Sequence, residues 1–178
     1  MKAPYVWSIG AALTRQAPYH PDSAYQVFRN VREFGATGDG QTDDTAAINA
    51  AIAAGDRCGD NADSCTTAPA LVYIPRTCYH LRRRPDRTAG TYKVSAPIVS
   101  FYNTHLVGSA TDRPRILLAP EFQGIAAIDE NPYRPGGRNW YTPQNNFFRG
   151  VENLVIDLTQ MPESTGTGMY VDIGSNAH

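Results

Sequence analysis

A surplus of positive charge is missing from this chain. Sixteen Lys and Arg face seventeen Asp and Glu, a formal net charge of −1. Nucleic-acid binders carry a basic excess, so no nucleic-acid partner is expected. No apolar run approaches the ~20 residues that a bilayer-spanning helix needs, so no membrane partner is expected either. Charged residues are few, at 19%, against about 25% in an average domain. Cysteine is limited to Cys58, Cys65 and Cys78. Neither a CxxC pair nor a Cys/His set with zinc spacing occurs, so no metal is expected. In the N-terminal stretch MKAPYVWSIGAALTRQAPYH, Pro4, Ser8 and Gly10 interrupt any apolar core; no export signal is read there.

What is present suits a β-rich chain. Hydrophobic residues are 42% of the 178, enough for a core at this length. Fifteen Gly, 13 Pro and ten Tyr indicate many turns between short β segments. The length allows one domain or a piece of a larger one. Cys58 and Cys65 lie in the polar stretch RCGDNADSC. A disulfide there would close a small loop and imply an oxidising compartment. Cys78 is the odd one.

Along the chain, YQVFRNVREF (25–34) reads as a strand pair or a strand leading into a turn. GATGDGQTDD follows and reads as a tight turn. Gly35, Gly38 and Gly40 permit positive φ, and Asp39 can bond its own backbone. Thr42, Asp43 and Asp44 offer N-caps for a helix over Thr45 to Ala54. Ala47, Ile48, Ala51 and Ile52 share its face, and Gly55 ends it. From Ala70 onward, ALVYIP, TYKVSAPIVS, THLVGS, RILLAP, GIAAID and NLVIDLT are short β segments bounded by Gly, Pro, Asn or Asp. No helical pattern intervenes, which disfavours a βαβ sheet. A sandwich and a coiled parallel β-solenoid both remain. The single early helix favours the solenoid, whose first coil needs a cap.

VREFGATGDGQTDDTAAINAAI strongly resembles the opening motif of the pectate-lyase-like right-handed parallel β-helix superfamily. There a strand, a Gly-Asp-Gly turn, an Asp-Asp-Thr cap and a short helix cover the N-terminal end. Further segments look like glycoside hydrolase family 55: YQVFRNV, TTAPALVYIP, GTYKVSAPI and NPYRPGGRNWYTPQNNFFRGVENLVIDLTQMP. The resemblance spans about Tyr25 to Met169. It implies an all-β, right-handed parallel β-helix (pectin-lyase-like) with a short capping helix, here as an N-terminal fragment. It divides the chain into an extension over 1–24, an incomplete β-helix domain over 25–170 and a divergent tail over 171–178. It further implies inverting, exo-type action on β-1,3-glucan without a cofactor, in an extracellular protein; the alternatives are a non-catalytic carbohydrate-binding or structural β-helix and a pectin-active polygalacturonase or lyase. The catalytic acid would come from a missing second β-helix, so no catalytic residue is assigned, and this chain is expected to be inactive alone.

Two departures stand out. RTCYHLRRRPDRTA (Arg76 to Ala89) intrudes where relatives pass almost directly between strands. The chain also stops soon after Tyr170. Retained intron sequence would account for both, making Cys78 and the Arg run accidental.

Among candidate site residues, Trp140, Tyr141 and Gln144 form the most ligand-like cluster. Aromatic faces stack on sugar rings and an amide bonds hydroxyls. The competing role is to pin a long polar loop onto the β-helix. Asp157 lies opposite the face of Leu154, Ile156 and Leu158, toward a groove or a turn. Asp39, Asp43 and Asp44 suit a turn and a helix cap better than acid/base work. Asp129 and Glu130 are expected to solvate a loop, and His105 to be structural.

Overall fold

The computed structural model describes residues 17, 19–60, 66–76, 90–141, 146–162 and 168–170. Cys65, Cys78, Gln144 and residues 77–89 of the Arg-rich insert lie outside them.

The chain climbs through three parallel sheets in strict rotation. The first sheet holds β1 (Phe28–Asn30), β3 (Ala70–Ile74), β6 (Thr104–Gly108) and β9 (Gly150–Glu152). The second holds β2 (Asp39–Asp43), β4 (Thr91–Val94), β7 (Arg115–Leu118) and β10 (Val155–Asp157). The third holds β5 (Ile98–Val99), β8 (Ile128–Asp129) and β11 (Met169–Tyr170). Helix α1 (Thr45–Ala53) takes the third side of the first coil and packs on β5 of the next. This is a parallel β-helix with its capping helix, and the sandwich alternative falls away. Among the described residues after Ala70 no helix intervenes, as the turn-punctuated sequence predicts.

Register stacks like residues into ladders. Val72, Leu106 and Val151 align on the first sheet. Tyr92, Ile116 and Ile156 align on the second, and Ile98, Ile128 and Met169 on the third. The first two members of every ladder are fully buried. Each such aliphatic side chain contributes about 1.5–3 kcal/mol of transfer free energy. Leu154, Ile156 and Leu158 pack on this core, as their shared parity predicts. At the β9–β10 corner Asn153 turns in the left-handed region (φ 56) and brings its carbonyl under Gly108. A Cβ on Gly108 would stand 2.1 Å from that oxygen, so only glycine fits. Glu152 therefore ends a strand of its own and does not belong to the Asp157 strand.

The first coil departs from the sequence reading in two ways. Asp39–Asp43 is not a free turn but a strand, paired irregularly with β4. The expected local bonds still form: Asp39 Oδ1 accepts from the N–H groups of Gln41 and Thr42. Asp44 occupies the N-cap position but makes no capping bond. Its carboxylate instead accepts from the N–H groups of Thr37 (2.7 Å) and Gly38 (3.0 Å), while Asp43 accepts from Thr45. Burial pushes Asp44 above the usual carboxylate range despite those bonds.

The C-terminal carbonyls of α1 are closed by two buried cations. Arg29 donates to the carbonyls of Ala51 and Ile52, and Arg57 donates to Ile52 at 2.8 Å. Arg57 also reaches the carbonyls of Ala68, Tyr102 and Asn103, tying the cap to the second coil. Desolvation lowers its pKa to about 10, which leaves it charged at neutral pH.

Candidate functional site

The longest described excursion from the coil runs from β8 to β9. It begins at Asp129 and returns through Asn146 to Arg149, carrying three of the four candidate binding residues. Gly136 and Gly137 adopt positive φ at its tip (96° and 81°), where Arg134 and Arg138 pair across the turn.

Tyr141 is buried and is an anchor. Its hydroxyl donates to the carbonyl of Cys58 (2.5 Å) and accepts from the N–H of Tyr102 (3.3 Å). Burial pushes its hydroxyl pKa up. Trp140 stays half-buried, edge-on to Phe101 with centroids 5.7 Å apart. Gln144 falls outside the described residues. Asp157 stands apart from this loop on the second sheet. It accepts from Arg115 (2.6 Å) and from both the N–H (2.9 Å) and hydroxyl (2.6 Å) of Thr159. Burial pushes its pKa up, but these bonds outweigh burial and hold it below the usual range. The bonding of Asp157 is that of a turn and an ion pair, and the structure does not bring it together with Trp140 and Tyr141. Cys58 is disulfide-bonded.

Asp129 and Glu130 correct the expectation of solvated loop carboxylates. They are only 8% and 4% exposed, and burial raises both pKa values, opposed by the charge of Arg149. Arg149 is the residue that sequence reasoning missed. Its guanidinium lies 5.0 Å from the centroid of the Tyr141 ring and donates to the carbonyls of Glu130 and Phe101. Asn146 also donates to the Glu130 carbonyl, at 3.1 Å. Glu130 Oε1, Asn146 Oδ1 and Arg149 Nη2 are buried without hydrogen-bond partners. This polar knot fastens both ends of the loop to the coil. The only sequence signal was an Arg immediately before a strand, which carries no pattern of its own.

An aromatic row crosses the knot. Trp140 meets Tyr141 (6.5 Å), Tyr141 meets Tyr102 (6.4 Å), and Tyr102 meets Phe148 at 85° (6.0 Å). The middle of the row is buried, and its ends reach solvent. Phe148 is 60% exposed. Only its ends present ring surface to solvent, and the neighbouring carboxylates Asp129 and Glu130 are too enclosed to reach a glycosidic oxygen. Among the described residues, no group of His, Cys, Asp and Glu could hold a metal ion. No described helix is long and apolar enough to cross a membrane.

Comparison with known proteins agrees with this architecture. Over 155 residues the chain is 55% identical to a protein named probable glucan endo-1,3-beta-glucosidase from Arthroderma benhamiae, covering 86% of this chain and 16% of that one. It is 43% identical over 154 residues to a protein of Penicillium expansum named non-secreted LysM effector LysM19, covering 86% and 11%. It thus spans less than a fifth of either relative. Among solved structures, ORF18 of Geobacillus virus E2 superposes with a TM-score of 0.53 at 27% identity, over 80% of this chain and 23% of that one. The resemblance to glycoside hydrolase family 55 within the pectate-lyase-like superfamily is upheld. Residues 28–178 match the model of one family throughout, and the chain belongs to it: rhamnogalacturonase A/epimerase, pectate lyase-like.

Proposed function

We propose that this chain is the N-terminal β-helix portion of a β-1,3-glucan hydrolase and forms one wall of its substrate cleft. The 55% identity to the glucosidase-named relative carries this reading. The aromatic row supports it, because a neutral sugar is held by stacking more than by charge. The acid that protonates the leaving oxygen would lie in a second β-helix, so the chain alone binds glucan without cleaving it. In the complete protein the action is inverting and the enzyme is extracellular; exo-type release follows the glycoside hydrolase family 55 resemblance, whereas the 55% identical relative is named an endo-glucosidase. The disulfide at Cys58 fits that compartment. The test is incubation of the purified chain with laminarin, followed by glucose release and affinity electrophoresis. Retardation without glucose is expected; glucose release would show that a catalytic acid is present after all.

A second reading is a non-catalytic carbohydrate-binding module. The same region recurs in the LysM-named relative, which favours it. The two readings separate when the chain replaces the matching segment of the 55% identical relative: retained hydrolysis supports the first, binding alone the second.

A further inference from the structure

We propose that Phe148 is a sugar-stacking platform, held outward by a strained backbone, for a pyranose ring of a neutral β-1,3-linked glucan. This rests on the glucan reading above.

A bulky non-glycine residue at positive φ is a conformational outlier, and such outliers persist only where their surroundings over-determine them. Phe148 has φ 58. Both of its neighbours are fixed. The Phe147 carbonyl accepts from the N–H of Asn103 (3.3 Å). Arg149 is clamped to the carbonyls of Phe101 and Glu130 and lies over Tyr141. Between these ties residue 148 sits in the left-handed region, with most of its ring exposed. A ring serving the core would be covered, as Phe147 beside it is half-covered; Phe148 remains 60% exposed. It meets Tyr102 (85°) and Phe147 (63°) only in edge contacts, so neither ring stacks parallel on it. The exposed part of its ring is what a sugar would cover.

The surroundings select the ligand. An aromatic face takes the C–H-rich face of a sugar. The adjacent charge, Arg149, is turned inward onto main-chain carbonyls and is not offered to a uronate. A neutral glucan fits; polygalacturonate does not.

The test compares the parent chain with Phe148→Gly and Phe148→Trp, using affinity electrophoresis in laminarin and in polygalacturonate, with thermal unfolding alongside. Glycine relieves the left-handed strain while removing the ring. F148G should unfold at a higher temperature yet bind laminarin about three- to tenfold more weakly. F148W should retain binding. The proposal is overturned if F148G binds as the parent does, if F148G unfolds earlier, or if polygalacturonate is preferred. A parent chain that binds no laminarin overturns the glucan reading, and this proposal with it. Binding by the parent that F148G leaves intact overturns only the platform.

Discussion

Replacing Arg57 with alanine should loosen the cap from the second coil. Arg57 donates to four carbonyls, and two of them keep other donors. Ile52 retains Arg29, and Asn103 retains the N–H of Ala70. The carbonyls of Ala68 and Tyr102 have no second donor among the described residues. Each orphaned buried carbonyl costs about 1–3 kcal/mol. The guanidinium also lies 5.8 Å from the Phe101 ring centroid, a contact contributing about 0.5–1 kcal/mol. Relief of the desolvation of a buried charge offsets part of this. The net expectation is a loss of about 3 kcal/mol for R57A, a large share of a typical domain's 5–15 kcal/mol.

Urea unfolding followed by circular dichroism and by tryptophan fluorescence would measure it. R57K should recover part of the loss, because one ammonium cannot span all the carbonyls. The effect should not vary between pH 6 and 8. The folded-state pKa of about 10 lies below the unfolded value, so this group adds pH dependence only above pH 10, where stability would rise. A loss under about 1 kcal/mol for R57A would refute the argument that Arg57 is the tie, since it would mean that its acceptors find other donors.

Four further outcomes are expected. Gly108→Ala should destabilise by about 2–3 kcal/mol or prevent folding, because the clash is with backbone at the β9–β10 corner; expression and unfolding midpoint report it. Glu130→Gln should flatten the decline of stability above the usual carboxylate pKa. Burial raises the folded-state value, so the folded chain binds more protons there and loses stability as pH rises; parallel curves for parent and E130Q would contradict this. Asp157→Asn should act in the opposite window. Its depressed pKa adds stability that is lost as pH falls through the folded value, and with Arg115 half-exposed the effect is about 1 kcal/mol, read from acid unfolding. Tyr141→Phe should cost about 1–2 kcal/mol and speed proteolysis within the β8–β9 excursion; unchanged cleavage would rule out its anchoring role.

The fold was legible because its signals are local. Helix α1 ends at Ala53 against an expected Ala54, and Gly55 takes positive φ as its position implies. Short apolar segments bounded by turn formers became strands because parallel stacking buries them in register. The sequence left the cap open among Thr42, Asp43 and Asp44, because these neighbours have equal claim to the helix end. Only the folded chain shows that Thr37 and Gly38 compete for Asp44. The polar knot was illegible for a similar reason. Asp129, Glu130, Asn146 and Arg149 are polar residues in a Pro- and Gly-rich stretch, where solvent exposure is the default. Their burial depends on contacts between residues distant in sequence, and periodicity carries no trace of these. Tyr141 was weighed as a sugar-stacking or a loop-pinning residue, and its hydroxyl bonds main-chain atoms of Cys58 and Tyr102, as loop pinning requires.

The inward ladders and the outward excursion draw on different residues, and this bears on how such a protein can change over generations. Register is held by Val72, Leu106, Ile116 and Ile128, none of which lies in the stretch from Glu130 to Arg149. That stretch can lengthen, shorten or exchange its aromatics while the rungs above and below keep their alignment, provided that its two fastened ends survive. Ligand preference can therefore drift without passing through unfolded intermediates. Lineages that share this scaffold are free to diverge in what they recognise well before they diverge in shape.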